Sequence, residues 1–346
     1  MRVLVSINHP KQVFIFKNLI RTLILDGHEV KILSVSKDIS NELLDNLNID
    51  YKIMGSNQST FIKKIINLFV LFFSTLFFVK VFKPDIFLGQ AVVYFGFVSK
   101  IVDKPYIIVE DTECVDLIHA VTIPLCTKVV TPDWFLKNFG KKHVRFSSFL
   151  ENFYLHPKYF SPNPQILKDL KINKNDKCMF IRFVSWNAIH DDAGSSMTFS
   201  EKLEFVDFFS SHFRIFISSE SKLPPSLSKY EVNLSGTEIH DLLHYCSIYV
   251  GESPTMTTES ALLGTPSICI NSWANPSTLG NFSELSRKDL IKCTDNIDEA
   301  RNWILERFKG TGSLSTNNLE NYSSYREVDL NDKLYELINA SIYKSN

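Results

Sequence analysis

The chain has 346 residues, 45% of them hydrophobic and 22% charged, which suits two globular domains of roughly 150 residues each and excludes a disordered chain. Its 37 Lys and Arg against 38 Asp and Glu leave a net charge of −1, so no overall basic field points to nucleic acid as a partner. The six cysteines, at 114, 126, 178, 246, 269 and 293, form no CxxC pair and no zinc spacing with histidine. They read as free thiols and imply a reducing compartment.

The sequence enters a strand at once, over residues 2–7, with no segment that reads as a signal peptide; a cytoplasmic location is expected. A loop, Asn8-His9-Pro10, leads to a helix over 11–26, in which Val13, Phe14, Phe16, Leu19, Ile20, Leu23 and Ile24 keep helical spacing. Gly27 stops it, and 29–35 is the second strand. This is the βαβ opening of a doubly wound α/β domain. No GxGxxG follows the first strand, so the glycines that would let a dinucleotide pyrophosphate approach are absent. Further strands are predicted over 85–88, 106–109 and 129–131.

Residues 65–79, IINLFVLFFSTLFFV, are apolar and flanked by Lys63, Lys64, Lys80 and Lys83. Fifteen helical residues span roughly 22 Å, short of a ~30 Å hydrocarbon core. Three readings stand beside one another: a buried helix, a transmembrane helix, and a helix that docks on a membrane with its lysines at anionic headgroups. Peripheral membrane contact through 61–83 belongs to the third.

A Pro-containing stretch from His156-Pro157 to Pro164 reads as a linker. A second α/β series follows, with strands predicted over 179–183, 214–218, 247–250 and 267–270 and helices over 199–211, 238–246 and 256–263. Residues 309–325 are expected to form a mobile loop, and a last helix is expected over 329–343. The domains are placed at 1–158 and 165–325, with 326–346 packing back on the first.

In such domains ligands sit beyond the carboxyl ends of the strands. The segment from Gly251 to Pro266 follows a strand and turns into a helix. Its start, at Ser253, Thr255, Met256 and Thr257, offers backbone N–H groups and the positive end of a dipole to a diphosphate, with hydroxyls as extra donors. Glu259, one turn in, is placed to accept both hydroxyls of a ribose. The plain alternative is an ordinary capped helix. Arg182 at the end of a strand suits a diphosphate, and His190-Asp191 in the next loop suits acid–base work. Glu110, Asp111 and Glu113 crowd three carboxylates at another strand end, where they repel unless solvated or used. Asn8 and His9 lie at the end of the first strand. Glu220 follows the strand over 214–218, and Ile239 and His240 precede a helix. No DxD triplet is present for a metal, and no cofactor is implied.

The segment from Gly251 to Pro266 resembles the signature of the GT-B sugar-nucleotide enzymes. It is similar in register to the Asp-Ser-Gly-Gly…Glu-Glu-Ala…Leu-Gly-x-Pro motif of the non-hydrolysing UDP-N-acetylglucosamine 2-epimerases. Glu252 and Ser253 take the Asp-Ser places, Glu259 the ribose-binding Glu, and Pro254 and Thr255 replace the two glycines. Gly89-Gln90-Ala91 stands where that family has Gly-Asp-Thr, so one epimerase carboxylate is missing. A resemblance over nearly the whole chain is to the domain-of-unknown-function 354 family of predicted glycosyltransferases. It rests on Asn8-His9-Pro10, Glu110-Asp111-Thr112-Glu113, Glu151…Tyr154-Leu155-His156-Pro157, Arg182-Phe183-Val184-Ser185, His190-Asp191, Ser219-Glu220, Ile239 to Leu243, and Thr255-Met256…Glu259.

The resemblance implies a GT-B fold, two Rossmann-like domains facing across a cleft. It implies transfer of a sugar from a nucleotide sugar, a UDP-sugar first among them, to a glycan or lipid-linked acceptor. Glu110, His190, Asp191 and His9 are the expected acid–base groups. Arg182, Glu220, Ile239, His240, Ser253, Thr255, Met256, Thr257 and Glu259 are expected on the donor, and Asn8, Asp111 and Glu113 on the acceptor side. An epimerase-like enzyme and a non-catalytic nucleotide-sugar-binding protein are the alternatives.

Overall fold

A computed structural model of the chain describes residues 1–36, 39–56, 60–173, 176–184, 197–234, 236, 238–309 and 324–343. Two compact units divide it: Met1–Tyr159 with Tyr325–Asn346, and Phe160–Ser324.

The first unit is built on seven parallel strands: β1 (Arg2–Ile7), β2 (Glu29–Ser36), β3 (Lys52–Ser56), β4 (Ile86–Gly89), β5 (Tyr106–Val109), β6 (Lys128–Pro132) and β7 (His143–Phe146). Their order is β3-β2-β1-β4-β5-β6-β7. Val3, Leu4, Val5 and Ile7 of β1 and the whole of β5 are fully buried, because helices cover both faces of the sheet. The covering helices are α1 (Pro10–Leu25), α2 (Ile39–Asn46), α3 (Phe61–Phe82), α4 (Val93–Ile101), α5 (Asp116–Leu125) and the short α6 (Asn152–Leu155). The chain winds from β1 to one side and returns to β4 on the other. The gap beyond β1 and β4 is therefore the switch point where such sheets take ligands.

The second unit begins with α7 (Gln165–Asp169) and carries five parallel strands: β8 (Cys178–Phe183), β9 (Arg214–Ser219), β10 (Ile248–Gly251), β11 (Ser267–Ile270) and β12 (Ile291–Thr294). The order β12-β11-β10-β8-β9 puts its switch point between β8 and β10, with Gly251 beside Arg182. Helices α8 (Phe199–Ser210), α9 (Glu238–Tyr245), α10 (Pro254–Leu262), α11 (Gly280–Arg287) and α12 (Ile297–Phe308) complete it. The final helix, α13 (Leu330–Tyr343), belongs to the first unit, where Leu330, Leu334 and Ile338 are fully buried. Its Tyr335 hydroxyl donates to Asp26 at 2.8 Å, and Asn331 Nδ2 donates to the Phe153 carbonyl at 3.0 Å.

Helix α3 differs from the expectation. Its 22 residues extend past 65–79 at both ends and take in Lys63, Lys64 and Lys80. The stretch Lys63–Phe82 has a mean hydropathy of 2.3, is long and apolar enough to cross a membrane, and is only 22% buried. The helix is therefore longer than the apolar run of fifteen residues, and it is not wholly buried. Leu71, Thr75, Val79 and Phe82 form one buried stripe. Ile66, Phe69, Val70, Phe73, Phe77 and Val81 lie on the opposite face and are 48–74% exposed. Gly55 of β3 lets the helix come close: a Cβ there would stand 3.0 Å from Leu71 Cδ2. The loop expected over 309–325 falls mostly on 310–323, outside the described residues.

Candidate functional site

In the second unit the β10–α10 turn is built around Gly251. A Cβ there would overlap the Tyr249 hydroxyl and stand 3.0 Å from the Arg182 carbonyl, so no larger residue fits. The Tyr249 hydroxyl is buried without a hydrogen-bond partner among the described residues, and burial pushes its pKa well up.

Ser253 caps α10, its Oγ accepting from Met256 N at 3.4 Å. Pro254, at the first helical turn, has no N–H to leave unpaired. The expected hydroxyl donors turn out differently. Thr257 Oγ1 donates to the Ser253 carbonyl at 2.9 Å and Thr258 Oγ1 to the Pro254 carbonyl at 3.1 Å, both residues being buried. A threonine one turn inside a helix bonds back to the preceding turn more readily than outward. Half-exposed Thr255 has no hydrogen-bond partner for its hydroxyl among the described residues, and its amide and hydroxyl can turn to an anion.

Glu259 is brought onto His240, whose Nε2 lies 3.1 Å from Glu259 Oε1, both buried. Phe160 packs edge-on to the His240 ring at 6.0 Å, and Ile239 beside it is half-buried. Arg182 Nη1 donates to Ser218 Oγ at 2.5 Å and Nη2 pairs with Glu220 Oε1 at 3.2 Å. Glu220 is 52% exposed, so this pair is a surface one that a phosphate can replace at little cost. His190 and Asp191 lie outside the described residues.

Two residues here carry no role in the sequence reading: Lys202, and Glu252, which the resemblance sets at an Asp place of the motif without a function. Glu252 turns inward: its Oε2 accepts the Val184 amide at 2.8 Å, and Oε1 pairs with Lys202 Nζ at 2.8 Å. Lys202 is 1% exposed and sits over the Phe183 ring. The pair ties the ends of β8 and β10 to α8. A signal existed, since Lys202 falls on the apolar stripe of Phe205, Val206 and Phe209.

In the first unit, Asn8 and His9 end β1. His9 is the N-cap of α1, its Nδ1 accepting from Lys11 N at 3.2 Å; its ring is exposed. Asn8 Nδ2 donates to Ser6 Oγ at 3.2 Å, and the Tyr94 hydroxyl donates to Asn8 Oδ1 at 3.4 Å. Glu110, beyond β5, is buried. Its Oε1 accepts the amides of Asp111 and Thr112 at 3.1 and 3.0 Å, and its Oε2 that of Ala91 at 3.5 Å. His119 Nε2 of α5 lies 3.7 Å from Glu110 Oε2, with Phe135 and Phe139 edge-on to the ring.

Asp111 pairs with Lys11 Nζ, which also lies 2.9 Å from Glu151 Oε1. Burial works against the Lys11 charge, but the two carboxylates outweigh it and hold the ammonium above the ordinary lysine range. Burial, with Asp111 adding to it, raises Glu151 against the pull of Lys11. The repulsion expected among Glu110, Asp111 and Glu113 is therefore relieved by division. Glu110 takes amides and Asp111 takes Lys11. Glu113 Oε1 accepts the Leu136 amide at 3.3 Å, which binds it to the loop after β6. Glu113 is not gathered with the others. Among the described residues no group of His, Cys, Asp and Glu is arranged to hold a metal ion.

A family model described as Protein of unknown function (DUF354) matches residues 1–319. No curated protein matches the sequence. The UDP-GlcNAc 2-epimerase from Neisseria meningitidis bound to UDP-GlcNAc superposes with a TM-score of 0.73 at 14% identity, covering 98% of this chain and 100% of that one. The glycosyltransferase VinC in complex with DTDP gives a TM-score of 0.62 at 13% identity, with 99% of each chain covered. The Streptomyces sp. SF2575 glycosyltransferase SsfS6 gives 0.59 at 12% identity, over 97% of this chain and 99% of that one. At these identities the likeness establishes the GT-B fold.

Proposed function

We propose, from the premise that this chain belongs to the family described as Protein of unknown function (DUF354), that it is a glycosyltransferase. It moves a sugar from a nucleotide sugar, a UDP-sugar, to a cell-surface polysaccharide or lipid-linked glycan, at the cytoplasmic face of a membrane. The observation that carries the reading is the convergence of Arg182, the start of α10 and the His240–Glu259 pair at the switch point of the second unit.

Glu259 is proposed to bind the ribose hydroxyls while His240 fixes its orientation. Thr255 and Arg182 take the diphosphate, Arg182 leaving Glu220 as it does so. Their positive potential serves the leaving group without a metal, so chelator is expected to leave turnover intact. In the first unit Glu110 is the proposed base. Its Oε2, held by the longer of its amide contacts, receives the acceptor hydroxyl proton. The acceptor oxygen then bonds to the anomeric carbon as the bond to the diphosphate breaks. His9, His190 and Asp191 are the further candidates for proton transfer, and Asn8 and Asp111 for placing the acceptor. The exposed face of α3 is proposed to dock on the membrane.

Thermal shift against UDP-, GDP-, dTDP- and CMP-sugars tests the donor site, since a ligand that binds only the native state raises its stability. Glu259→Ala is expected to weaken the responding sugar nucleotide at least about tenfold. Glu110→Ala is expected to bind it normally and lose turnover. The fold neighbours include an epimerase, so incubation with UDP-N-acetylglucosamine alone is the second arm. A changed sugar with no acceptor present would replace the transferase reading by the epimerase one. Binding without turnover in any mixture would leave a binding protein.

A further inference from the structure

Helix α3 leaves an opening at its N-terminal half. Where Leu71, Thr75, Val79 and Phe82 meet the core, the helix is sealed. The same face continues toward the N-terminus as Asn67, Leu68 and Lys64, and there a groove of about 350 Å³ lies open. That size is within the ~300–1,000 Å³ of small-molecule sites. Its far wall is the start of α4, with Val92, Val93 and Tyr94, and Ile118 of α5 closes one side. The lining is mostly apolar, and its polar side chains are Lys64, Asn67, Asn8 and Tyr94.

Two features say what covers it. The first is charge. Lys63 and Lys64 fall in the opening turns of α3, which has no acidic residue there and no side-chain cap at Thr60. Two cations at the positive end of a helix dipole oppose each other and the dipole, an arrangement that an anion relieves. The second is position. Asn8 and Ala91 belong to the groove, and the Ala91 amide donates to Glu110 Oε2. Ala91 therefore links the groove to the buried carboxylate proposed as the base, and Leu68 of the lining is itself 38% exposed on α3.

We infer that this groove binds the phosphate and first apolar segment of a prenyl phosphate, the carrier end of a lipid-linked acceptor. The inference rests on the transferase reading for its purpose, and on the groove alone for its binding. The phosphate meets Lys64, the apolar chain lies against Leu68, Leu71 and Val93, and the polar end of the acceptor reaches Asn8 and Ala91, the residue whose amide bonds Glu110.

The test is titration of the full chain with farnesyl phosphate, without nucleotide, by calorimetry. Saturable one-to-one binding is expected, with inorganic phosphate and farnesol each far weaker. Val93→Trp fills the groove and is expected to lower affinity at least tenfold. Leu68→Trp, at a more exposed position, is the check if Val93→Trp fails to fold. Lys64→Glu is expected to weaken farnesyl phosphate strongly and farnesol little. Phe77→Ser, on the outer face, is expected to leave farnesyl phosphate binding unchanged. Parent affinity in both folded tryptophan variants, or equal binding by inorganic phosphate, would overturn the inference. A nucleotide-sugar thermal shift without farnesyl phosphate binding rejects the groove and keeps the transferase. Farnesyl phosphate binding with no response to any nucleotide sugar supports the groove and rejects the transferase.

Discussion

At the scale of single residues, charge buried for structure lies beside charge placed for use. Lys202 and Glu252 are 1% and 2% exposed, and each holds the other's charge out of water. Lys202→Met strands the carboxylate and is expected to cost about 3–5 kcal/mol of stability, read by urea unfolding. Glu252→Gln on that background is expected to recover part of it, because the stranded charge is then gone. His143 gives a pH signature. Its Nδ1 accepts the Phe139 amide at 3.2 Å and its ring contacts Thr131. Burial, with Arg145 adding to it, lowers its pKa from 6.5 to about 4. A depressed folded pKa favours the native state above the unfolded value, so this contribution is present above pH 6.5 and drains away as pH falls toward about 4. His143→Gln is expected to flatten the fall of Tm over that window relative to the parent.

At the scale of elements, α3 is the one whose surroundings its sequence does not reveal. It is apolar on every face, which in a globular protein means burial from all sides or contact with lipid. One stripe, through Leu71, Val79 and Phe82, packs on the sheet, so lipid cannot surround the helix; the opposite stripe has no cover among the described residues. Phe73→Ser with Phe77→Ser is expected to abolish flotation with vesicles of phosphatidylglycerol and phosphatidylcholine while leaving Tm nearly unchanged, because both rings are more than 60% exposed. Flotation equal to the parent's would remove the membrane contact. Central strands were plain in the sequence because apolar runs such as YIIV and SICI are buried on both faces. Strands β3, β7 and β12 escaped notice. They are sheet edges, where burial is partial and residues such as Lys52, His143, Arg145 and Lys292 are tolerated. The carboxylate and arginine at strand ends were legible because topology alone places them. Their partners were not: Lys11 to Asp111 and His240 to Glu259 are contacts between separate elements, which the periodicity within each element does not encode.

At the scale of the whole molecule, each unit carries its own sheet, core and switch point. The first also takes back the end of the chain. Ser148 Oγ and Asn152 Nδ2 donate to the Tyr325 carbonyl at 2.8 and 2.7 Å, Lys158 pairs with Asp329 at 2.8 Å, and α13 buries Leu330, Leu334 and Ile338 completely. Leu334→Ala is expected to cost about 2–5 kcal/mol. Calorimetry is expected to place that loss in the transition of the first unit, leaving a nucleotide-linked transition of the second in place.

That return has a consequence for how the protein is made. Domains generally fold in the order in which the ribosome releases them. Here the segment that completes the first unit, Tyr325 onward, leaves the ribosome only after all of Phe160–Ser324. The unit begun first is thus finished last. Until then the docking place of Leu330, Leu334 and Ile338 stands open on the nascent chain, in addition to the greasy side of α3, which stays exposed in the finished protein. A membrane close to the site of synthesis, or a chaperone that holds apolar helices, would shelter both during that interval.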